Sequence, residues 1–94
     1  MAMKTKNPVI EIYTGPHCGY CERAKALLKG RALPYRELDI SVPSIRQEMF
    51  KRLPRAKTIP QIFIDGAHVG GCEDLEHFMK SGGLDNLLGK AERR

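Results

Sequence analysis

Two cysteines separated by two residues, Cys18 and Cys21, lie where an apolar run gives way to a run with helical character. Residues 9–14 are almost continuously apolar and β-branched, which is typical of a strand covered on both faces, such as a central parallel strand. Residues 22–29 consist mainly of strong helix formers. The chain therefore has to pass from a buried strand directly into a helix, with the cysteine pair at the junction.

The position at a helix start determines the chemistry expected of the pair. The first turn of a helix presents unpaired N–H groups and the positive end of the macrodipole, and both stabilise a thiolate. Because the thiolate is the nucleophile, Cys18 at the expected N-cap is predicted to attack disulfides. Cys21, more sheltered within the first turn, is predicted to resolve the mixed disulfide. Arg23 and Lys25 would add positive charge nearby.

Two other interpretations of the pair stay open, namely a pair of inert thiols and one half of a zinc site. A structural zinc site needs four ligands, commonly two cysteine pairs, or one such pair with two spaced histidines. The remaining candidate ligands do not form a second pair: His17, His68, Cys72 and His77. The sequence therefore favours thiol–disulfide exchange and predicts no metal ligands.

The middle of the chain continues the alternation of strands and helices. Residues 35–40 alternate imperfectly, and their place after a helix predicts a second parallel strand that closes a βαβ unit. The next helix is predicted to start either at Ser44, as the first residue of a capping box, or at Ser41 with Pro43 just inside. Pro54 ends it.

The last part of the chain predicts a hairpin and a further helix. Asp65-Gly66 is a hairpin turn between two short strands, residues 61–64 and 67–70, and a helix opens at Cys72. Three leucines suggest one last short helix before a charged tail at residues 89–94: Leu84, Leu87 and Leu88. The order β-α-β-α-β-β-α predicts an α/β fold, with a four-stranded mixed sheet and helices on both faces, in a single domain over residues 1–94.

Composition excludes several functional classes. The 94 residues are 41% hydrophobic and 29% charged, which indicates one small globular domain rather than a disordered chain. No signal-peptide core or membrane-length run is present, so a cytoplasmic protein without a membrane partner is expected. Three cysteines, an odd number, argue against a disulfide framework in that compartment. The net charge of +5 is interpreted mainly as a solubilising surface, and nucleic acid is not an expected partner.

Two further stretches accompany the cysteine pair. In Thr58-Ile59-Pro60, a cis bond before the proline would turn the Ile59 backbone groups outward, where they could pair with an extended peptide. Gly70-Gly71 leads into a helix and outlines an anion site suited to a carboxylate, while Asp74 could take an ammonium group. Cys72 between them is interpreted as a small, half-buried residue rather than a catalyst.

Together these stretches resemble the glutaredoxin family, and within it the small bacterial glutaredoxin-3 type. The resemblance rests on segments that span nearly the whole chain: residues 9–13, 18–21, 23–28, 58–65 and 70–75. It implies a thioredoxin fold and a monomeric, glutathione-dependent oxidoreductase that reduces protein disulfides and glutathione mixed disulfides. The two glycines and the Asp-Leu that follow the hairpin distinguish glutaredoxins from other thioredoxin-like proteins, because they belong to the glutathione site.

The resemblance also assigns roles by position, with Cys18 as the nucleophile and Cys21 as the resolving thiol. The residues implied to hold the cysteinyl backbone of glutathione are Thr58, Ile59 and Pro60. Those implied to surround its γ-glutamyl end are Gly71, Cys72, Glu73 and Asp74. Tyr13 and Tyr20 would flank the cleft, and the glycyl carboxylate would meet Gln47 and Lys57.

Two positions depart from the usual family sequence. Gly15 stands where family members often have a lysine, and Gly19 replaces the proline of Cys-Pro-Tyr-Cys. In the family, motifs without that proline occur among members that bridge a [2Fe–2S] cluster across a dimer, with the first cysteine of each chain and two glutathiones as ligands. The alternative function implied is therefore a cluster-carrying dimer in which Cys18 is the protein ligand.

Overall fold

Residues 8–84 are described by a computed structural model, and within them helices alternate with the strands of one sheet. The elements are β1 (Ile10–Thr14), α1 (Gly19–Gly30), β2 (Arg36–Asp39), α2 (Pro43–Arg52), β3 (Gln61–Ile64), β4 (Ala67–Gly70) and α3 (Cys72–Lys80). The predicted order of strands and helices is confirmed over these residues. Leu87, Leu88 and the tail at 89–94 lie outside the described residues.

The four strands form a mixed sheet in the order β2-β1-β3-β4. β1 runs parallel to β2, with Tyr13 opposite Leu38, and antiparallel to β3, with Ile12 opposite Ile62. β3 and β4 form the predicted hairpin, which turns at Asp65 with φ 53°. The near-continuous apolar character of β1 follows from this central position.

The two faces of the sheet carry two separate hydrophobic cores. The first core joins β1 and β3 to α1 and α3, and its buried residues include Ile10, Ile12, Ala24, Leu28, Ile62, Leu75 and Leu84. The second joins the opposite face to α2 and comprises Tyr13, Leu38, Met49 and Phe63. Helices therefore cover both faces, as predicted.

The N-cap of α2 lies one residue after the predicted Ser41 and two before the alternative Ser44, with Pro43 just inside the helix as the prediction from Ser41 had it. Val42 is the N-cap, with no side-chain hydrogen bond, and Pro43 occupies the first turn. The Ser41 N–H donates instead to Asp39 Oδ1 at 2.8 Å, and Ser44 lies inside the helix. The fixed φ of Pro43 suits the first turn, which explains why the helix begins there without a polar cap.

The end of α2 is fastened to the sheet through Arg52. Its guanidinium donates to Glu11 Oε1 at 3.0 Å and to the Tyr13 hydroxyl at 2.9 Å, and it stacks 3.8 Å from the centre of the Phe63 ring. An arginine can satisfy a carboxylate, a hydroxyl and a ring together because its donors lie in a planar fork. This contact fixes the point from which the chain runs into the loop before β3.

Candidate functional site

The Cys18 sulfur lies at the N-terminus of α1 and faces the loop that precedes β3. Cys18 is the N-cap, as predicted, and its extended backbone (φ −118°, ψ 104°) directs Sγ at the open first turn. The Cys21 N–H donates to this sulfur at 3.2 Å, and the Ile59 carbonyl oxygen lies 3.8 Å from it. A backbone donor aimed at the sulfur stabilises the negative charge of a thiolate.

Cys21 occupies a different environment although it lies in the same helical turn. Its side chain is fully buried, whereas Cys18 is only partly covered. Burial, reinforced by the hydrogen bond and the charge of Cys18, raises the pKa of the Cys21 thiol to about 12. Cys21 therefore stays protonated at neutral pH, which leaves Cys18 as the accessible nucleophile.

The two cations that follow the pair are engaged elsewhere. Arg23 forms an ion pair with Glu76 of α3, and Lys25 Nζ lies 3.0 Å from Glu22 and 2.9 Å from Glu37. Their positive charge is therefore compensated by carboxylates, and the helix N-terminus becomes the main electrostatic support of Cys18.

The loop facing Cys18 is shaped by a cis peptide bond and by two side chains from the hairpin. The Ile59–Pro60 bond is cis. Buried Gln61 donates from Nε2 to the Thr58 carbonyl oxygen at 2.9 Å and to its hydroxyl at 3.3 Å. Gln61 Oε1 in turn lies 2.8 Å from Nε2 of His68 on β4. Sequence reasoning missed Gln61 and His68, since neither stands in a motif that marks a contact with the loop.

This loop and the start of α3 enclose a cleft of about 290 Å³ beside the cysteines. The residues that line it are Tyr20, Thr58, Ile59, Pro60, Gly71, Cys72, Glu73 and Asp74. Every one of them was predicted from the sequence as a ligand-binding residue. Tyr20 is 56% exposed and forms the rim on the side of α1.

The start of α3 is held by its own third residue. Gly71 is the N-cap, and its N–H donates to Asp74 Oδ2 at 2.9 Å. Gly70 has φ +126°, and a Cβ there would lie 2.3 Å from the Asp74 carboxylate, so the position requires glycine. The two glycines thus allow Asp74 to fold back over the helix start.

Comparison with known proteins agrees with this arrangement. The family model described as Glutaredoxin matches residues 10–69. The chain belongs to the glutaredoxin family. It is 51% identical over 80 residues to Glutaredoxin 3 of Escherichia coli strain K12, a match that covers 84% of this chain and 95% of the relative. It is thus a thiol–disulfide oxidoreductase by family.

Solved structures of glutaredoxins share the fold. The solution structure of a glutaredoxin from Brucella melitensis is 48% identical with a TM-score of 0.70, and the match covers 85% of this chain and 87% of that one. The crystal structure of a buckwheat glutaredoxin–glutathione complex is 25% identical with a TM-score of 0.75, and covers 89% and 79% of the two chains. These similarities confirm the predicted thioredoxin fold.

Three predicted site residues of this glutaredoxin do not line the cleft. The prediction that Tyr13 flanks it is wrong, because the Tyr13 side chain is fully buried in the core beneath α2, edge-on to Phe63 with ring centres 6.1 Å apart. Gln47 on α2 and Lys57 beside Thr58 are exposed and lie outside the cleft lining. Both could be reached only by a ligand that extends beyond the cleft.

A larger cavity of about 620 Å³ lies away from the cysteines, between β4 and α3. Its walls are mostly apolar and include Ile64, Val69 and Phe78. We assign the chemistry to the smaller cleft because Ile59, which lines it, has its carbonyl oxygen 3.8 Å from the Cys18 sulfur, whereas no cysteine lines the larger one.

Residues 8–84 contain neither a metal-binding cluster of side chains nor a helix of membrane length. No three or more His, Cys, Asp or Glu side chains there come together in a way that could hold a metal ion. No helix in that range is long and apolar enough to cross a membrane. All three cysteines are free thiols.

Proposed function

We propose that this glutaredoxin is a glutathione-dependent oxidoreductase that reduces glutathionylated proteins and protein disulfides through Cys18. The observation that carries the proposal is the Cys18 sulfur at a helix N-terminus, 3.8 Å from the Ile59 carbonyl oxygen at the edge of a small cleft. A cysteinyl backbone paired with Ile59 would bring its own sulfur next to Cys18. The existence of a glutathione complex of the related buckwheat protein supports the same ligand here.

The rest of glutathione would extend along the cleft towards α3. The N–H groups at the start of α3 suit the carboxylate of the γ-glutamyl end, because a helix N-terminus favours negative charge. Asp74 carries the opposite charge and suits the neighbouring ammonium group. Gln47 and Lys57, outside the cleft lining, stay the proposed partners of the glycyl carboxylate.

The reaction follows from the difference between the two thiols. The Cys18 thiolate attacks the glutathione sulfur of a mixed disulfide, forms a Cys18–glutathione disulfide, and releases the protein thiolate, which takes a proton from water. A second glutathione thiolate attacks the glutathione sulfur of the adduct, which restores Cys18 and forms glutathione disulfide. With a protein disulfide, Cys18 attacks one sulfur and releases the other as a thiolate, which takes a proton from water. Cys21 then attacks Cys18 Sγ, forms the Cys18–Cys21 disulfide and releases the second protein thiol, and two glutathiones return the pair to the dithiol as they form glutathione disulfide. Cys21 must lose its proton to attack, and its raised pKa makes this route the slower one.

Cysteine variants test the proposal with a mixed disulfide of glutathione and a small thiol. Cys18→Ser should lose turnover, while Cys21→Ser should keep it within a few-fold, because the glutathione route needs only Cys18. Thermal unfolding of both variants would establish that Cys18→Ser is folded. Full activity in folded Cys18→Ser would refute the assignment.

The cluster-carrying dimer stays an alternative prediction. Cys18 is the accessible sulfur at the site and could serve as one ligand per chain, and a Cβ at Gly19 would meet no atom within 4 Å. The remaining ligands would have to come from a second chain and two glutathiones. Purification without oxygen and with glutathione, followed by visible absorption and mass in solution, decides this, since a colourless monomer contradicts it. We expect the reductase to act as a monomer in the cytoplasm.

A further inference from the structure

Positive charge is concentrated in the segment that leads into the cleft loop at Thr58. Residues 46–57 contain five of the sixteen lysines and arginines of the chain but one of its eleven acidic residues, Glu48. The five cations are Arg46, Lys51, Arg52, Arg55 and Lys57. We call this segment, the last part of α2 and the loop after it, the basic segment. It accounts for most of the net charge of +5.

Three cations elsewhere in the described part of the chain are compensated. Arg23, Lys25 and Arg36 each lie beside a carboxylate of another element. In the basic segment Arg52 pairs with Glu11, whereas no ion pair joins Lys51, Arg55 or Lys57 to another residue among 8–84. These three side chains are exposed, so their charge is directed at solvent and at whatever approaches the cleft.

The basic segment also offers contact surface for a polypeptide. Phe50 is 44% exposed on α2, one helical turn from Arg46. Beyond the helix, a groove of about 370 Å³ is lined by Arg52, Leu53, Pro54, Arg55, Gln61 and His68 among others. Cations that alternate with apolar side chains suit a protein chain better than a free anion, which needs no apolar contacts.

One hydrogen bond links the groove to the cleft beside the cysteines. Gln61 lines the groove and donates to Thr58, which lines the cleft, and Lys57 precedes Thr58 in the chain. The opposite wall of the cleft carries the exposed acids Glu73 and Asp74. An acidic chain that enters with its cysteine at Cys18 would be repelled by the α3 side and attracted by the basic segment.

We propose that the basic segment is a docking surface for acidic stretches of the protein substrate, and that it selects glutathionylated cysteines flanked by aspartate or glutamate. The proposal rests on the proposed reductase function and adds the class of protein partner. Electrostatic attraction acts mainly on association, so the preference should appear in kcat/KM and should weaken as salt is added.

Three glutathionylated peptides test the surface, identical except for four flanking residues that are all Glu, all Gln or all Lys. At low ionic strength the protein should turn over the Glu peptide with a kcat/KM about tenfold above the Gln peptide, and the Lys peptide more slowly still. In the double variant Lys51→Ala/Arg55→Ala, the kcat/KM values for the Glu and Gln peptides should differ by no more than about twofold. Added salt should do the same to the unmodified protein.

The matched control is Lys29→Ala/Lys80→Ala, which removes the same charge from exposed positions in the last turns of α1 and α3. It should keep the preference for the Glu peptide. If the control variant lost the preference for the Glu peptide to the same extent, net charge rather than the basic segment would determine the preference, and the proposal would be overturned. Equal turnover of the three peptides by the unmodified protein would also overturn it.

Two further measurements separate this proposal from the reductase assignment. Turnover of the small glutathione mixed disulfide should be the same in both double variants and the unmodified protein. If that substrate is not turned over at all, the reductase assignment fails. In that case the docking surface can still be tested by measuring, with fluorescence anisotropy, how tightly the protein binds the same peptides without glutathione. Tighter binding of a single-stranded oligonucleotide than of the Glu peptide would point to nucleic acid instead and refute the proposal.

Discussion

At the scale of single residues, the two cysteines of α1 differ because one caps the helix and the other faces the core. The Cys18 sulfur accepts a hydrogen bond from the Cys21 N–H at 3.2 Å, and Cys18 remains partly exposed to solvent. Cys21 has no exposed surface, and burial raises its pKa from 9.0 to about 12. Packing, as well as order in the sequence, therefore distinguishes Cys18, which we propose starts the exchange, from Cys21.

The pKa of Cys21 predicts a loss of stability in alkaline solution. Between about pH 9 and 12 the unfolded chain releases the Cys21 proton while the folded, reduced protein retains it. Because the folded state then binds more protons, the free energy of unfolding should fall as pH rises, by at most about 1.4 kcal/mol per pH unit for this group. Urea unfolding should therefore show that the free energy of unfolding falls more steeply with rising pH for the reduced, unmodified protein than for Cys21→Ser. Parallel pH profiles would contradict the burial argument.

At the scale of elements, the β3–β4 hairpin controls the loop that faces Cys18. Gln61 begins β3 and His68 lies on β4, so the hairpin brings the two side chains to 2.8 Å and directs the Gln61 amide at Thr58. A neutral histidine protonated on Nε2 and a charged histidine can both donate to Gln61 Oε1, so this orientation holds in either state. The loop therefore depends on strand pairing elsewhere in the sheet.

Gln61→Glu tests this dependence with minimal change of shape. A carboxylate can still accept from His68 but cannot donate to the Thr58 carbonyl oxygen, and would repel it. Losing a buried hydrogen bond of this kind costs about 1–3 kcal/mol, so KM for a glutathione mixed disulfide should rise about 5- to 150-fold with a smaller change in kcat. The rate at which iodoacetamide alkylates Cys18 should not change, which serves as the control. An unchanged KM would show that Gln61 does not position the loop.

Sequence patterns predicted the parts of the site that depend on neighbouring residues, and failed for the parts that depend on tertiary contacts between distant segments. The cysteine pair, the loop with Pro60 and the Gly70-Gly71 turn are short motifs whose geometry is fixed by neighbouring residues. Gln61 and His68 meet because His68 pairs opposite Phe63, on the same face of the hairpin as Gln61, which no short pattern reveals. Tyr13 was misplaced because strand alternation gives two faces but does not say which one α2 covers.

At the scale of the whole molecule, one carboxylate connects elements that follow one another along the chain. Lys25 of α1 donates to Glu37 of β2 at 2.9 Å, and the Thr14 hydroxyl of β1 donates to the same carboxylate at 2.8 Å. The hydrogen bonds to Glu37 and then Glu22 raise the pKa of Lys25, and those from Lys25 and then Thr14 lower the pKa of Glu37 from its ordinary value of 4.5. Three consecutive elements of the βαβ unit thus meet at one carboxylate.

The lowered pKa of Glu37 predicts how stability responds to acid. A depressed carboxylate pKa stabilises the folded protein above the ordinary value of 4.5, and this contribution is lost as pH falls below it, because the unfolded chain takes up the proton first. The Glu37 side chain is 40% exposed, so solvent screening limits the contribution to about 0.5–1 kcal/mol. Glu37→Gln should therefore unfold at lower urea than the unmodified protein at neutral pH, and the two should converge in acid.

Glu48→Gln provides the matched control for this experiment, since Glu48 is exposed on α2 and forms no ion pair with another residue among 8–84. It removes the same charge without touching the βαβ unit, so its stability relative to the unmodified protein should depend little on pH. If the Glu37→Gln deficit persisted undiminished in acid, the contact would act through packing rather than charge. If Glu48→Gln were destabilised as much as Glu37→Gln at neutral pH, the effect would belong to net charge. The protein already carries +5, so the loss of any carboxylate adds to the repulsion between its positive charges.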